Sequence, residues 1–81
     1  MDYKDTHFPQ YRKLVNEKSF YRIVDGRHFD ELQLIGSKAV LHELYAEQYP
    51  EMLRIKDMLE LAEGYLTSSQ SEFEVLLKSV E

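Results

Sequence analysis

The chain has 81 residues, 43% of them hydrophobic and 31% charged, with a formal net charge of −5 at neutral pH and no cysteine. That length holds one domain with a thin core, and that composition excludes a disordered chain. The missing cysteines exclude thiol catalysis, iron–sulfur clusters and cysteine-held zinc, and for so small a domain they point to a reducing, cytoplasmic compartment.

The charge is uneven. Residues 1–27 carry six Lys/Arg against four acids, a net of +2, and residues 28–81 carry four against eleven, a net of −7. An acidic rear two-thirds repels backbone phosphate, so a basic patch for nucleic acid is available only near the front. No apolar run is long enough to cross a membrane, and the region after Met1 lacks the apolar stretch of a secretory leader.

In chain order, residues 1–7 are expected to fray. Pro9 to Val15 is ambiguous: Tyr11, Leu14 and Val15 fit a helix, whereas Arg12 to Val15 followed by Asn16-Glu17-Lys18 fits a hairpin with what comes next. Phe20 to Val24 is aromatic and β-branched and reads as a strand, ended by Asp25-Gly26, a pair that favours a tight turn. Phe29 to Ile35 reads as a second strand, with Phe29, Glu31, Gln33 and Ile35 on one face and Asp30, Leu32 and Leu34 on the other.

Gly36-Ser37-Lys38 marks another turn. Ala39 to Ala46 alternates poorly, and its helix formers place Val40, Leu41, Leu44 and Tyr45 on one stripe, so local propensity favours helix. Pro50 suits the first turn of a helix whose apolar positions are Met52, Ile55, Leu59 and Ala62, with Gly64 as its stop. Ser69 and Glu72 make a capping box, and Phe73, Leu76, Leu77 and Val80 form the stripe of a C-terminal helix.

Several segments together carry a resemblance: Phe8-Pro9-Gln10-Tyr11-Arg12-Lys13, Ser19-Phe20-Tyr21-Arg22-Ile23, Phe29 to Gly36, Tyr49-Pro50-Glu51 and Ile55-Lys56-Asp57-Met58-Leu59. Their layout resembles an uncharacterised family of short proteins of unknown function, mostly from Bacteroidetes. The resemblance implies a β-rich fold in which the segment around Gly36 turns between two strands, against the helix reading of Ala39 to Ala46. It implies no activity.

Chemical motifs are sparse. Glycines stand at 26, 36 and 64, too far apart for a dinucleotide or phosphate loop. His28 and Asp30 point the same way on a strand, and His42 joins them if the Gly36 turn pairs the flanking strands on one face; such a cluster would suit a divalent metal. Independent surface histidines explain the same residues. Ser68, Ser69 and Ser71 sit where a helix cap needs them, and the carboxylate pairs Glu72/Glu74 and Glu60/Glu63 read as a solvated face.

The aromatic–basic front stands apart. Tyr11, Arg12, Lys13, Tyr21, Arg22 and Arg27 are the residue types that protein interfaces enrich and that also stack on bases and neutralise phosphates. A hairpin of residues 10–15 with 19–24 is expected to bring Arg12 and Arg22 to one face. The same residues can equally serve core and surface.

These observations predict a single small α+β domain: an antiparallel sheet over about residues 10–46, a helix after Pro50, and a C-terminal helix packed on the sheet. An all-α bundle of three or four helices is the alternative. The expected function is a non-enzymatic interaction or regulatory module with a protein partner or a second copy of itself, with no cofactor and no membrane. A nucleic-acid-associated factor using residues 11–27 and a small metal-dependent enzyme remain as alternatives.

Overall fold

The computed structural model describes residues 7–80. Four consecutive strands, β1 (Gln10–Leu14), β2 (Ser19–Asp25), β3 (His28–Ile35) and β4 (Lys38–Tyr45), are followed by α1 (Tyr49–Leu59), β5 (Tyr65–Thr67) and α2 (Gln70–Leu77). The strands form one antiparallel sheet in the order β4-β3-β2-β1-β5. The predicted α+β architecture is the one observed, and the helical bundle is not. Of the segment expected to fray, residues 1–6 lie outside the described residues, and His7 is exposed.

Local chemistry sets each turn. Between β1 and β2 the Asn16 side chain accepts from the Lys18 N–H, and Glu17 takes a positive φ of 58°. Between β2 and β3 the Asp25 carboxylate accepts from the Arg27 N–H at 2.7 Å. Gly36, at φ 63°, makes the two-residue turn between β3 and β4 without the steric cost a side chain would meet there.

Register divides the side chains cleanly between two faces. Tyr11 opposes Arg22 and Lys13 opposes Phe20 across β1–β2, while Phe20 opposes Leu32 and Arg22 opposes Asp30 across β2–β3. On that face Phe20, Leu32 and Ala39 receive Phe73 of α2, with Leu76, Leu77 and Val80 alongside. The opposite face carries Tyr21, Ile23 and Phe29, which receive Ile55 and Met58 of α1. The sheet is thus sandwiched between single helices, and its two thin cores share no residue.

Three details depart from the sequence reading. Ala39 to Tyr45 is strand despite its helix formers, because eight residues of β4 pair with β3 without interruption, and tertiary pairing outweighs propensity differences of a few tenths of a kcal/mol per residue. Helix α1 ends at Leu59, not beside Gly64. Its last turn closes through Leu61 N–H to Met58 O (3.2 Å) and Ala62 N–H to Asp57 O (2.9 Å), with Leu61 in the left-handed region at φ 54°. This is the hydrogen-bond pattern in which glycine is the usual C-terminal residue. Gly64 instead shapes the turn into β5, a three-residue strand with too little apolar patterning to be read from sequence.

The C-terminal helix starts where its cap predicts. Ser69 Oγ accepts from the Glu72 N–H at 3.1 Å. The other half of the expected capping box is replaced: the Glu72 carboxylate accepts from the Ser68 hydroxyl and from the Lys13 ammonium. Beyond α2 the chain reaches the far edge of the sheet, where Val80 bridges Ala39 in parallel and Ala39 N–H donates to Ser79 O.

Candidate interaction surfaces

The six aromatic and basic residues at the front do not make one surface. Tyr11, Lys13 and Arg22 share the α2 face, whereas Arg12 and Tyr21 oppose each other on the α1 face. The expectation that Arg12 and Arg22 share a face is therefore corrected. A β-strand alternates with period two, and the pairing sets residue 11, not residue 12, against Arg22.

Most of these side chains are committed to the fold. Arg12 is buried, and its Nε donates to the Met58 carbonyl at 2.8 Å while Nη1 donates to the Tyr11 carbonyl at 2.8 Å. Burial lowers its pKa from the ordinary guanidinium value. Tyr21 is 3% exposed and donates its hydroxyl to Glu31 Oε2 at 3.0 Å. Its phenol is pushed up to about 12, first by burial and then by the Glu31 carboxylate. Tyr11 lies against Phe73 with ring centroids 5.8 Å apart.

Lys13 bridges two acids, Glu17 at 2.7 Å and Glu72 at 3.2 Å. Hydrogen bonding to Glu17, and then to Glu72, raises its pKa; that of Glu72 is lowered, first by the Ser68 hydroxyl and then by Lys13. Arg27 is exposed on the β2–β3 turn. Glu17, Glu72 and the apolar side chains Phe20, Leu34, Val75 and Leu76 line an open groove along α2.

Arg22 and Asp30 form a partly buried ionic contact. Arg22 Nε and Nη2 both approach Asp30 Oδ2, at 2.9 and 2.8 Å, and the guanidinium lies 4.9 Å from the Phe73 ring centre. Asp30 keeps only 4% of its side chain exposed, and its Oδ1 sits 3.3 Å from His28 Nε2. The His28 ring stacks on Tyr45 at 4.3 Å.

His42 opposes Glu31 across β3–β4 and so faces the α1 side, away from His28 and Asp30. The candidate His28/Asp30/His42 cluster does not assemble. Among the described residues no group of three or more histidines, cysteines or acids is placed to hold a metal ion, and no helix is long and apolar enough to cross a membrane.

One feature that the sequence reading missed is the outer edge of β4. Ala39 N–H points away from β3, toward Ser79. Alternation along the strand then directs the N–H and C=O groups of Leu41 and Glu43 outward too. Among the described residues, the chain itself covers this edge only at Ala39. Beyond that point β4 continues to Tyr45 with no bulge and no proline, two of the devices that blunt a sheet edge, although Glu43 supplies an edge charge, which is another. Val40, on the α1 face, is 38% exposed beside it. Had Ala39 to Ala46 read as strand, the edge would have been evident, since no later apolar run is long enough to pair along its whole length.

The chain matches no family model, no curated protein and no solved structure.

Proposed function

We propose that this chain is a small non-enzymatic interaction module that accepts an extended strand along the open edge of β4. The observation that carries the reading is the run from Val40 to Tyr45, uncovered among the described residues, where outward backbone donors and acceptors alternate beside exposed Val40. Such an edge is a template for strand addition: main-chain hydrogen bonds supply affinity and alternate side chains supply selectivity. Cation use weighs in the same direction. Lys13, Arg22 and Arg54 are each paired with acids of the same domain, which leaves few positive charges for a phosphate backbone.

The test is selection of extended peptides from a random library against the wild-type chain and against Glu43→Pro. Proline there removes an outward N–H without breaking the β3–β4 ladder, a position that edge strands tolerate. Selected peptides are expected to protect the Leu41 and Glu43 amides from hydrogen exchange and to lose about tenfold or more in affinity for Glu43→Pro, a difference of about 1.4 kcal/mol. Peptides that bind both forms equally would remove the reading.

A further inference from the structure

Resting on that strand-addition reading, we infer that Ser79 and Val80 are the register stop for the incoming strand: they hold it to residues 40–45 and bar it from Ala39. The chain after α2 already lies on the edge there. Val80 pairs with Ala39 in a one-residue parallel bridge, and the Ser79 carbonyl accepts from the Ala39 N–H at 3.4 Å. Strands in a sheet lie about 4.8 Å apart, so a guest continuing past Val40 toward Lys38 needs the space that Val80 fills.

The stop is held from two sides. Ser79 N–H donates to Leu76 O at 2.9 Å and Val80 N–H to Leu77 O at 3.1 Å, which fastens both residues to the last turn of α2. The Val80 side chain packs with Leu76 and Leu77 on the cluster of Phe20, Leu32, Ala39 and Phe73. The bridge itself contributes little, since 3.4 Å is long for an N–H···O bond. Packing and the helix end therefore hold the tail. One more backbone pair contributes less to a guest than lifting Val80 off that cluster costs.

Such a stop supplies selectivity. Side chains on a strand repeat with period two, so a guest that slips by two residues presents the same faces as before. Leu41 and Glu43 offer outward backbone groups at that spacing, and Ala39 would extend the series by one. With Ala39 taken, the slipped register loses a hydrogen-bonding position, and guests align with one end against Val80.

Titration with extended peptides selected against the wild-type edge, lengthened by two residues at a time at each end, tests this. A nitroxide at one peptide terminus broadens the amides nearest to it and shows which end faces Ala39. Toward that end, wild-type affinity is expected to stop rising once the guest reaches Val40. In a chain lacking residues 79–81, two further guest residues are expected to raise affinity about fivefold, the scale of one more backbone pair. Val80→Gly keeps the chain length, removes the packing and is expected to do the same; circular dichroism checks that both variants fold. The sequence has no cysteine, so Ala39→Cys with Val80→Cys can close a single disulfide across the bridge. That oxidised form is expected to show the wild-type plateau.

The stop is overturned if both tail variants keep the wild-type plateau, or if wild-type affinity keeps rising past Val40. In the second case, a rise abolished by the disulfide makes the tail a displaceable competitor instead. Peptides that bind wild type and Glu43→Pro equally defeat strand addition and the stop together. A plateau indifferent to the tail, with the Glu43 dependence intact, defeats the stop alone.

Discussion

Arg12 on β1 donates to the carbonyl of Met58 in the last turn of α1 at 2.8 Å, joining the sheet to a helix that begins almost forty positions later in the chain. The contact sets a buried guanidinium against the partial negative charge of a helix C-terminus. Arg12→Ala is expected to lower stability by about 2 kcal/mol, the scale of a charge-assisted hydrogen bond lost with its packing. Arg12→Lys should recover part of this, because the charge remains while the planar fork is lost. Urea unfolding followed by circular dichroism checks both; an Arg12→Ala midpoint equal to wild type would show the contact to be idle.

Leu61 offers a gain. It occupies the left-handed region at φ 54° with 43% of its surface exposed, so it bears a backbone cost of about 1–2 kcal/mol in exchange for modest burial. Leu61→Gly is expected to stabilise the domain by about 0.5–1 kcal/mol and to raise Tm by about 4 °C for a chain of this size. Leu61→Ala loses the same burial without relieving the backbone and should not stabilise. Thermal denaturation of the pair separates backbone relief from side-chain loss.

Tyr21 predicts an alkaline limit. Its folded pKa, about 12, lies above the ordinary value of 10.0, so folding favours the neutral phenol. The associated stability is fully present below pH 10 and is lost as pH rises from about 10 through about 12. Tyr21→Phe should cost about 1 kcal/mol at neutral pH through the lost hydrogen bond to Glu31 and should flatten that alkaline loss. Tyrosinate absorbance measured against pH gives the readout. A Tyr21 that ionises together with a short reference peptide would contradict the assignment.

Much of the fold was legible where local signals agreed. Ser69 capping α2, the turns at Asp25 and Gly36, and the alternation of Phe29 to Ile35 all follow from rules that act within a few residues. What escaped depended on contacts between segments distant in sequence. Ala39 to Ala46 looked helical because helix propensity is a local quantity, whereas its strand state is set by pairing with β3. Strand β5 exists only because Lys13 and its neighbours offer a partner. Leu61 carries no sequence mark of a helix stop; Gly64, which does, sits three positions too late. The candidate surface was legible as composition but not as geometry, since a strand sends Tyr11 and Arg12 to opposite faces, and two of the six expected residues, Arg12 and Tyr21, are buried.

The order of strands has a kinetic reading. Strands β1 to β4 each pair with the next in sequence, so this meander closes only short loops and presents few topological delays to folding. Residues 65–80 do the opposite. They add β5 beside β1 at one margin, cross the sheet through α2, and bridge Val80 to Ala39 at the other margin. A chain emerging from the ribosome can therefore assemble its meander first, and residues 65–80 then join β5 to one margin and Val80 to the other.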